Sequence, residues 1–176
     1  MAASTREADG PHQPCRRSSR FGYNRSMPFD RRLLEARLAL DLVASADMPS
    51  IAWDAIEAGL DGPATRRLGA YDRPTYFEIV HLMPLVRQEL ELSEITVGEA
   101  ALRLASDIAN EILRSGDDPL LHVRDFSALW IRSQYAREIR LVGNLWDDVY
   151  VAEAKGQSED EIRKWVTSRL QDVAGF

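Results

Sequence analysis

Cysteine is almost missing from this sequence, which contains a single one, Cys15, in 176 residues. A disulfide needs two thiols and a thiolate metal site needs several, so the chain after Cys15 can hold neither. Long apolar runs are missing as well, since no stretch approaches the ~20 residues that a membrane helix needs. The N-terminal region also lacks the apolar segment of a secretory signal. We therefore expect a cytoplasmic protein of bacterial type that does not associate with membranes.

The motifs of several common enzyme classes are also missing. The chain has no glycine-rich phosphate loop, no Gly-x-Ser-x-Gly nucleophile elbow and no Cys/His metal spacing. After residue 27 it contains only two histidines, His81 and His122, which leaves few general bases. These absences predict no cofactor and no metal. They favour a non-enzymatic protein over an enzyme.

Charge is distributed unevenly along the chain, whose net charge is −6. The first 26 residues contain five arginines against two acidic residues, a net +3, so the remainder carries −9. An acidic body repels phosphate backbones and attracts basic partners. Nucleic-acid binding is therefore not expected of the folded part, and a basic protein is the partner that its electrostatics predict.

Residues 1–26 form a basic segment that is rich in Arg and Ser and has no periodic apolar pattern. Three interpretations are open: a disordered tail, a non-native extension with Met27 as the true start, or an organellar transit peptide. The acidic residues Glu7 and Asp9 argue against the third. In each case we expect the foldable domain to be residues 28–176, and the segment before it to be dispensable for folding.

Three capping boxes give the strongest local signals for helices. They run from Thr75 to Glu78, from Thr96 to Glu99 and from Ser158 to Glu161, and each precedes a periodic apolar run. The run at about 75–92 is apolar nearly all round, which predicts a central, buried helix that Pro84 should kink or split.

The rest of the body shows helical patterns too. Further helices are predicted from Asp30 to about Ser45, from Met48 to Gly59, from Gly62 to Gly69, after Pro119, and from Tyr135 to Val149 with a weak point at Gly143-Asn144. No segment alternates strictly, and no heptad repeat is sustained. The sequence thus predicts a single compact all-α domain of six to eight helices. Its four tryptophans should lie mostly in the core, namely Trp53, Trp130, Trp146 and Trp165.

Glu78 and His81 are spaced i, i+3, as in the Glu-x-x-His element of carboxylate-bridged two-metal bundles. Such a site needs a second copy, and His122 has Pro119 three residues before it instead of Glu. A polar stripe on an apolar helix is therefore the favoured interpretation.

A pair of carboxylates, Asp107 and Glu111, lies one helical turn apart and could perform acid–base chemistry if the environment separated their pKa values. Arg103 and Arg114 are spaced to form surface ion pairs with them, which favours a solvated face. If the protein is an enzyme with a site built from scattered residues, Glu78, His81 and Asp107 are the first candidates.

Asp147 and Asp148 stand between two aromatic residues, Trp146 and Tyr150. Acidic residues beside aromatics can form a docking surface for a basic partner. The alternative is an ordinary helix face with Trp146 buried.

The segment from Gly62 to Val80 resembles a helix-turn-helix, with Arg66, Arg67 and Arg73 as its positive edge. That pattern would suit a DNA-binding regulator, although the acidic body weighs against it.

Two segments resemble a group of uncharacterised small α-helical bacterial proteins. They are residues 51–69, IAWDAIEAGLDGPATRRLG, and residues 100–113, AALRLASDIANEIL. The resemblance implies a compact helical fold in a bacterial cytoplasm. It implies no activity and carries over no functional residues.

The leading functional hypothesis from the sequence is a non-enzymatic, acidic protein-binding or adaptor protein. An immunity-type inhibitor of a basic partner would be one example. Its candidate binding residues are Trp146, Asp147, Asp148 and Tyr150.

Overall fold

A computed structural model describes residues 28–175, and every regular element within that range is helical. The predicted all-α fold is confirmed there, while the basic segment 1–26 and the proposed start at Met27 lie outside the described residues. The elements are α1 (Arg31–Ala39), α2 (Met48–Glu57), α3 (Pro63–Gly69), α4 (Tyr76–Glu89), α5 (Val97–Ser115), α6 (Val123–Arg132), the single turn α7 (Arg140–Gly143), α8 (Leu145–Ala154) and α9 (Glu159–Ala174), with short 3-10 turns at Ser45–Asp47, Pro119–His122 and Arg137–Ile139. None of the helices in this range is long and apolar enough to cross a membrane.

Two of the three predicted capping boxes form completely. The Glu78 carboxylate accepts the Thr75 backbone N–H at 2.7 Å, and the equivalent bond in the box at the start of α9 is 2.9 Å. The box at α5 forms only in part. Thr96 accepts the N–H of Glu99, but the Glu99 carboxylate is held by Arg103 at 2.6 Å instead of returning to the cap.

Helix α1 ends at Ala39, six residues earlier than the predicted end at Ser45. Asp41 adopts a left-handed φ of 57°, and the Leu42 N–H closes the helix on the carbonyl of Arg37 at 2.8 Å. The Arg132 guanidinium, from α6, donates to the carbonyl oxygen of Leu40 at 3.0 Å. A distant side chain therefore satisfies a helix end that carries no local stop signal.

The core consists of two apolar clusters. The larger one lies around α5, the longest helix, and draws on α1, α6, α8 and α9. The smaller one joins α2, α3 and α4 to one side of α1. The central helix of the domain is therefore α5.

The prediction that the run at 75–92 is central and buried is wrong. Helix α4 packs through one face only, and Tyr76 and Phe77 are 67% and 73% exposed. The apolar composition of α4 does not reveal how many other helices pack against it. In the described part of the chain, helices cover only one side of α4. The helix also continues unbroken through Pro84, whose ring is exposed, so the predicted split does not occur.

The tryptophan prediction is also wrong in part. Trp53 is 46% exposed, and its indole N–H donates to the Gly69 carbonyl at 2.8 Å. Trp146 is exposed as well, whereas Trp130 and Trp165 pack partly buried against the larger cluster. An indole needs a partner for its N–H, which is more easily found at the margin of a core than at its centre. The largest side chain that is fully buried is Phe126.

Candidate functional site

Helix α8 presents an aromatic face to solvent. Trp146 and Tyr150, one turn apart, are 39% and 70% exposed. An adjacent face of α8, turned by roughly 100° from the aromatic one, carries Leu145, Val149 and Ala152, which are buried against the larger cluster. The alternative interpretation expected Trp146 to be buried, and the structure exposes it.

Arg124, from the first turn of α6, lies over the Trp146 ring with its guanidinium carbon 4.0 Å from the ring centroid. This is a cation–π contact within the usual limit of about 6 Å. It fixes the indole on one side while leaving the neighbouring Tyr150 ring open. The pairing of α6 with α8 was not predictable from local patterns, since the two residues are 22 positions apart.

Asp147 and Asp148 are both exposed, but they lie on different sides of α8. Successive residues on a helix are turned by about 100°, so Asp147 flanks the aromatic face and Asp148 turns away from it. Asp148 lines a groove of about 380 Å³ between α8 and α9, together with Val151, Lys155 and Trp165. The four predicted residues therefore contribute to an aromatic face with one acidic flank and to an adjoining groove.

Neither Asp147 nor Asp148 has a basic partner within ion-pair distance among the described residues. The acidic first turn of α9 is different. There Arg163 binds Glu159 and Asp160 and also reaches Asp118. Asp147 and Asp148 thus remain available to a partner's cations.

A glycine, Gly143, determines where α8 starts. A Cβ at Gly143 would lie 2.4 Å from Cγ of Trp130, so only glycine allows the chain to pass this close to the indole. Trp130 is itself fixed by donating to the Ala136 carbonyl at 3.1 Å and by an edge contact with Tyr135. The predicted weak point at Gly143-Asn144 is a real break, where α7 ends and α8 begins.

The residues proposed for an enzymatic site do not meet. The Glu78 carboxylate is used by the cap of α4, and these bonds from Thr75 lower its pKa. His81 is exposed on the same helix. Asp107 instead lines a small cavity of about 190 Å³ with residues of α1 and α5 and none of α4. No group of three His, Cys, Asp or Glu in the described range could hold a metal ion.

The surface ion pairs predicted for α5 form only in part. Glu111 binds Arg114 as expected. Arg103, however, binds Glu35 and Glu99 instead of Asp107. Burial is the main influence on the Asp107 carboxyl and raises its pKa, although the charge of Arg37 opposes the shift.

Two buried or half-buried glutamates have structural roles that the sequence did not indicate. Glu35 accepts the Ser93 N–H at 2.7 Å and the Arg103 guanidinium at 2.6 Å, which joins α1 to α5 and to the segment before it. Glu89 accepts from the backbone and hydroxyl of Thr65 and caps α3. The sequence separations of 24 to 68 residues explain why no local motif revealed them.

One of the three arginines proposed as the positive edge of a helix-turn-helix is already paired with a carboxylate in the structure. Arg66 binds Asp61 through Nε at 2.6 Å and through a second nitrogen, and this pairing lowers the pKa of Asp61. Arg67 and Arg73 remain exposed. The aromatic rings of Tyr76 and Phe77 are exposed at the N-terminus of α4.

Comparison with known proteins gave no match: no family model, no curated protein and no solved structure is similar to this chain.

Proposed function

We propose that this chain is a non-enzymatic protein-binding domain that docks a basic partner on the aromatic face of α8. The observation that carries the proposal is the exposure of Trp146 and Tyr150 beside carboxylates that have no basic partner in the described range. Tryptophan, tyrosine and arginine are enriched among the few residues that dominate binding energy at protein interfaces. An immunity-type inhibitor of a basic protein is one form that such a function could take.

Charge supports a basic partner over an acidic or neutral one. The chain after residue 26 carries −9, which speeds the approach of a cationic protein. At the docking face, Asp147 can pair with a lysine or arginine, and the open ring of Tyr150 can accept a cation over its face. The Arg124–Trp146 contact is an intramolecular example of that geometry.

The two alternative functions have less geometric support. An enzyme built on Glu78, His81 and Asp107 would need groups that the structure keeps on separate helices, α4 and α5. A DNA-binding regulator would need a basic edge whose Arg66 is already paired with Asp61. Retention of duplex DNA by the purified chain, or a turnover lost in Glu78→Ala with His81→Ala, would favour these alternatives.

The bacterial cytoplasmic setting, and membership of the uncharacterised helical group that residues 51–69 and 100–113 resemble, belong to the same proposal. Both are inferred from the sequence alone.

The experiment is capture of partners from the native cell with the tagged full chain and with two variants of the docking face. Tyr150→Ala and Asp147→Lys should each reduce the captured basic protein at least about tenfold, because each removes a central contact. Capture by the wild type should fall with added salt.

Matched controls distinguish specific binding at this face from non-specific binding elsewhere on the protein. Leu121 is as exposed as Tyr150 but lies in the turn Pro119–His122, and Asp172 is an exposed carboxylate on α9. Leu121→Ala and Asp172→Lys should leave capture unchanged. Equal losses in the control variants, or no loss in Tyr150→Ala, would contradict the proposed face.

A further inference from the structure

The solvent-facing side of α4 carries a pair of protruding aromatic rings at its N-terminal end. Tyr76 and Phe77 pack edge to face with ring centroids 6.0 Å apart, and both are about two-thirds exposed or more. Scattered exposed apolar residues are ordinary, but two adjacent aromatics that continue into Val80, Pro84 and Leu85 form a contiguous patch. A patch of this kind typically marks an interface.

The same side of α4 carries an open groove at its C-terminal end. The groove has a volume of about 630 Å³ and is lined by Val80, Met83, Pro84, Arg87, Gln88 and Leu92. Pockets of 300–1,000 Å³ accommodate molecules larger than one aromatic side chain. The groove therefore has room for the two rings that α4 itself presents.

The aromatic pair and the groove lie along one stripe of α4. Val80, Pro84 and Gln88 follow Tyr76 at intervals of four residues, which places them along one side of α4. Twelve residues at 1.5 Å each separate the two ends of the stripe by about 18 Å. A second α4 laid antiparallel across this stripe brings the rings of each copy over the groove of the other, with the two-fold axis between Val80 and Pro84.

The charges around the stripe favour the same antiparallel arrangement. Arg67 and Arg73 are exposed at the N-terminal end, while the exposed Glu94 borders the groove at the C-terminal end, where Glu91 is already paired with Arg31 at 2.9 Å. Reversing one helix against the other places each basic end beside an acidic end. A parallel arrangement would place like charges together, which is unfavourable.

Val80 and Pro84, at the stripe centre, carry no formal charge, and the one charged residue of α4 that lines the groove, Arg87, lies toward its C-terminal end, which suits a self-contact of an acidic protein. Two copies that each carry −9 after residue 26 repel one another over most of their surfaces. An uncharged apolar stripe is where that repulsion is weakest and apolar burial is greatest. A highly basic partner would meet no carboxylate at the centre of this stripe.

We propose that α4 is a self-association surface, through which two copies of this chain form an antiparallel, two-fold symmetric dimer. Each copy inserts Tyr76 and Phe77 into the groove beside Pro84 and Gln88 of the other. Such an interface is isologous, because one surface carries both halves of the contact. The proposal is independent of the docking face on α8.

The area of this surface suits a weak, reversible dimer. Aromatic side chains bury ~150–250 Å² each when covered, so the exposed parts of Tyr76 and Phe77 supply on the order of 250 Å² per copy. Groove walls of similar area bring the total for two copies to about 1,000 Å², the lower limit of specific interfaces. We therefore expect dissociation in the micromolar range.

The test is analytical ultracentrifugation of the full chain over a range of concentrations. The mass of the wild type should rise from 19.9 kDa toward twice that value as the concentration increases. Phe77→Asp should raise the dissociation constant at least about tenfold. Leu121→Asp, at a site of similar exposure in the turn Pro119–His122, should not change it. A wild type that stays monomeric throughout, or a Phe77→Asp protein as dimeric as the wild type, would overturn the proposal.

A charge exchange tests the antiparallel orientation and guards against a misfolded variant. Arg73→Glu and Glu94→Lys should each weaken self-association alone, because each places like charges together across the two-fold axis. Mixing the two proteins should restore association, since the glutamate introduced in one protein meets the lysine introduced in the other in the mixed pair only. A mixture no stronger than its separate components would overturn the pairing.

Val80→Lys places a charge near the axis and provides a second variant, with circular dichroism as the check on folding. It should also be monomeric, and a Val80→Lys dimer as strong as the wild type would count against the interface.

Discussion

The buried ion pair between Glu35 and Arg103 should be among the most costly polar contacts to break in this protein. The side chains of Glu35 and Arg103 are 5% and 17% exposed, and their atoms approach to 2.6 Å. Removing one member of a buried pair leaves the other charge without compensation, at a cost of about 3–5 kcal/mol. We therefore expect Arg103→Ala to lower the free energy of unfolding by about 3 kcal/mol or more.

Glu35→Ala should cost less than Arg103→Ala. Arg103 would keep its bond to the exposed Glu99, while the Ser93 N–H would lose its acceptor, a loss of about 1–3 kcal/mol. The double variant should cost less than the sum of the two single variants, with a coupling energy of about 0.5–3 kcal/mol. Urea unfolding followed by far-UV circular dichroism measures all three variants.

The dependence on pH gives a second readout of the same contact. Burial raises the pKa of Glu35, but hydrogen bonds from Ser93 and Arg103 and the charges of Arg103 and Arg31 bring it below its ordinary value of 4.5. A lowered folded-state pKa contributes stability above the unfolded-state pKa, and that stability is lost as pH falls through the folded-state value. In Arg103→Ala only the Ser93 hydrogen bond and the charge of Arg31 still oppose the burial effect, so the pKa of Glu35 should rise and the penalty should shrink in acid, where Glu35 is protonated.

The surface pair Glu111–Arg114 is the control for this argument. Both side chains are about half exposed or more, so Arg114→Ala should change stability by no more than about 0.5 kcal/mol. The reasoning is refuted if Arg103→Ala costs no more than Arg114→Ala, or if its penalty is the same at all pH values.

Three further predictions concern the core, the cavity and the approach to α8. Phe126→Ala should cost about 3–5 kcal/mol in chemical unfolding, whereas Leu121→Ala, at an exposed site, should be nearly neutral. Asp107→Asn should stabilise the protein at neutral pH, because the raised folded-state pKa of Asp107 means that the folded state disfavours the carboxylate. The advantage should disappear in acid, where Asp107 is protonated. A pH profile of thermal melting that is the same in wild type and variant would contradict this. Gly143→Ala should cost about 1–3 kcal/mol and alter the fluorescence of Trp130, and a neutral effect on both would argue against the close contact.

Features encoded over a few residues could be predicted from the sequence. Thr75 and Ser158 start helices because their partners lie three residues away, and Gly59 and Gly116 end helices because they adopt positive φ at the expected places. The all-α fold follows from these signals, although the end of α1 and the cap of α3 depend on distant side chains, Arg132 and Glu89.

Features that depend on which helices are neighbours could not be predicted. The composition of α4 reveals apolar residues on every side but not that its described neighbours cover one side alone, which left Phe77 in solvent. Glu35 and Arg103 are 68 residues apart, and no periodicity links them. The same limit applied to Glu89, whose carboxylate caps a helix 24 residues earlier.

The candidate docking face was predictable in its residues but not in its geometry. The sequence shows Trp146 and Tyr150 one turn apart with two aspartates between them. It does not show that Arg124 covers one ring face or that Asp148 turns into the groove against α9. Both depend on the contact of α8 with its neighbours.

The most direct test of the proposed function is site-specific photo-cross-linking in the native cell from position 150, in place of Tyr150. We expect a single basic protein to be cross-linked from this position, and not from the equally exposed position of Tyr76 on α4. The cross-link should disappear when Asp147→Lys is added. No cross-link from position 150, or the same cross-linked protein from both positions, would contradict the docking face on α8.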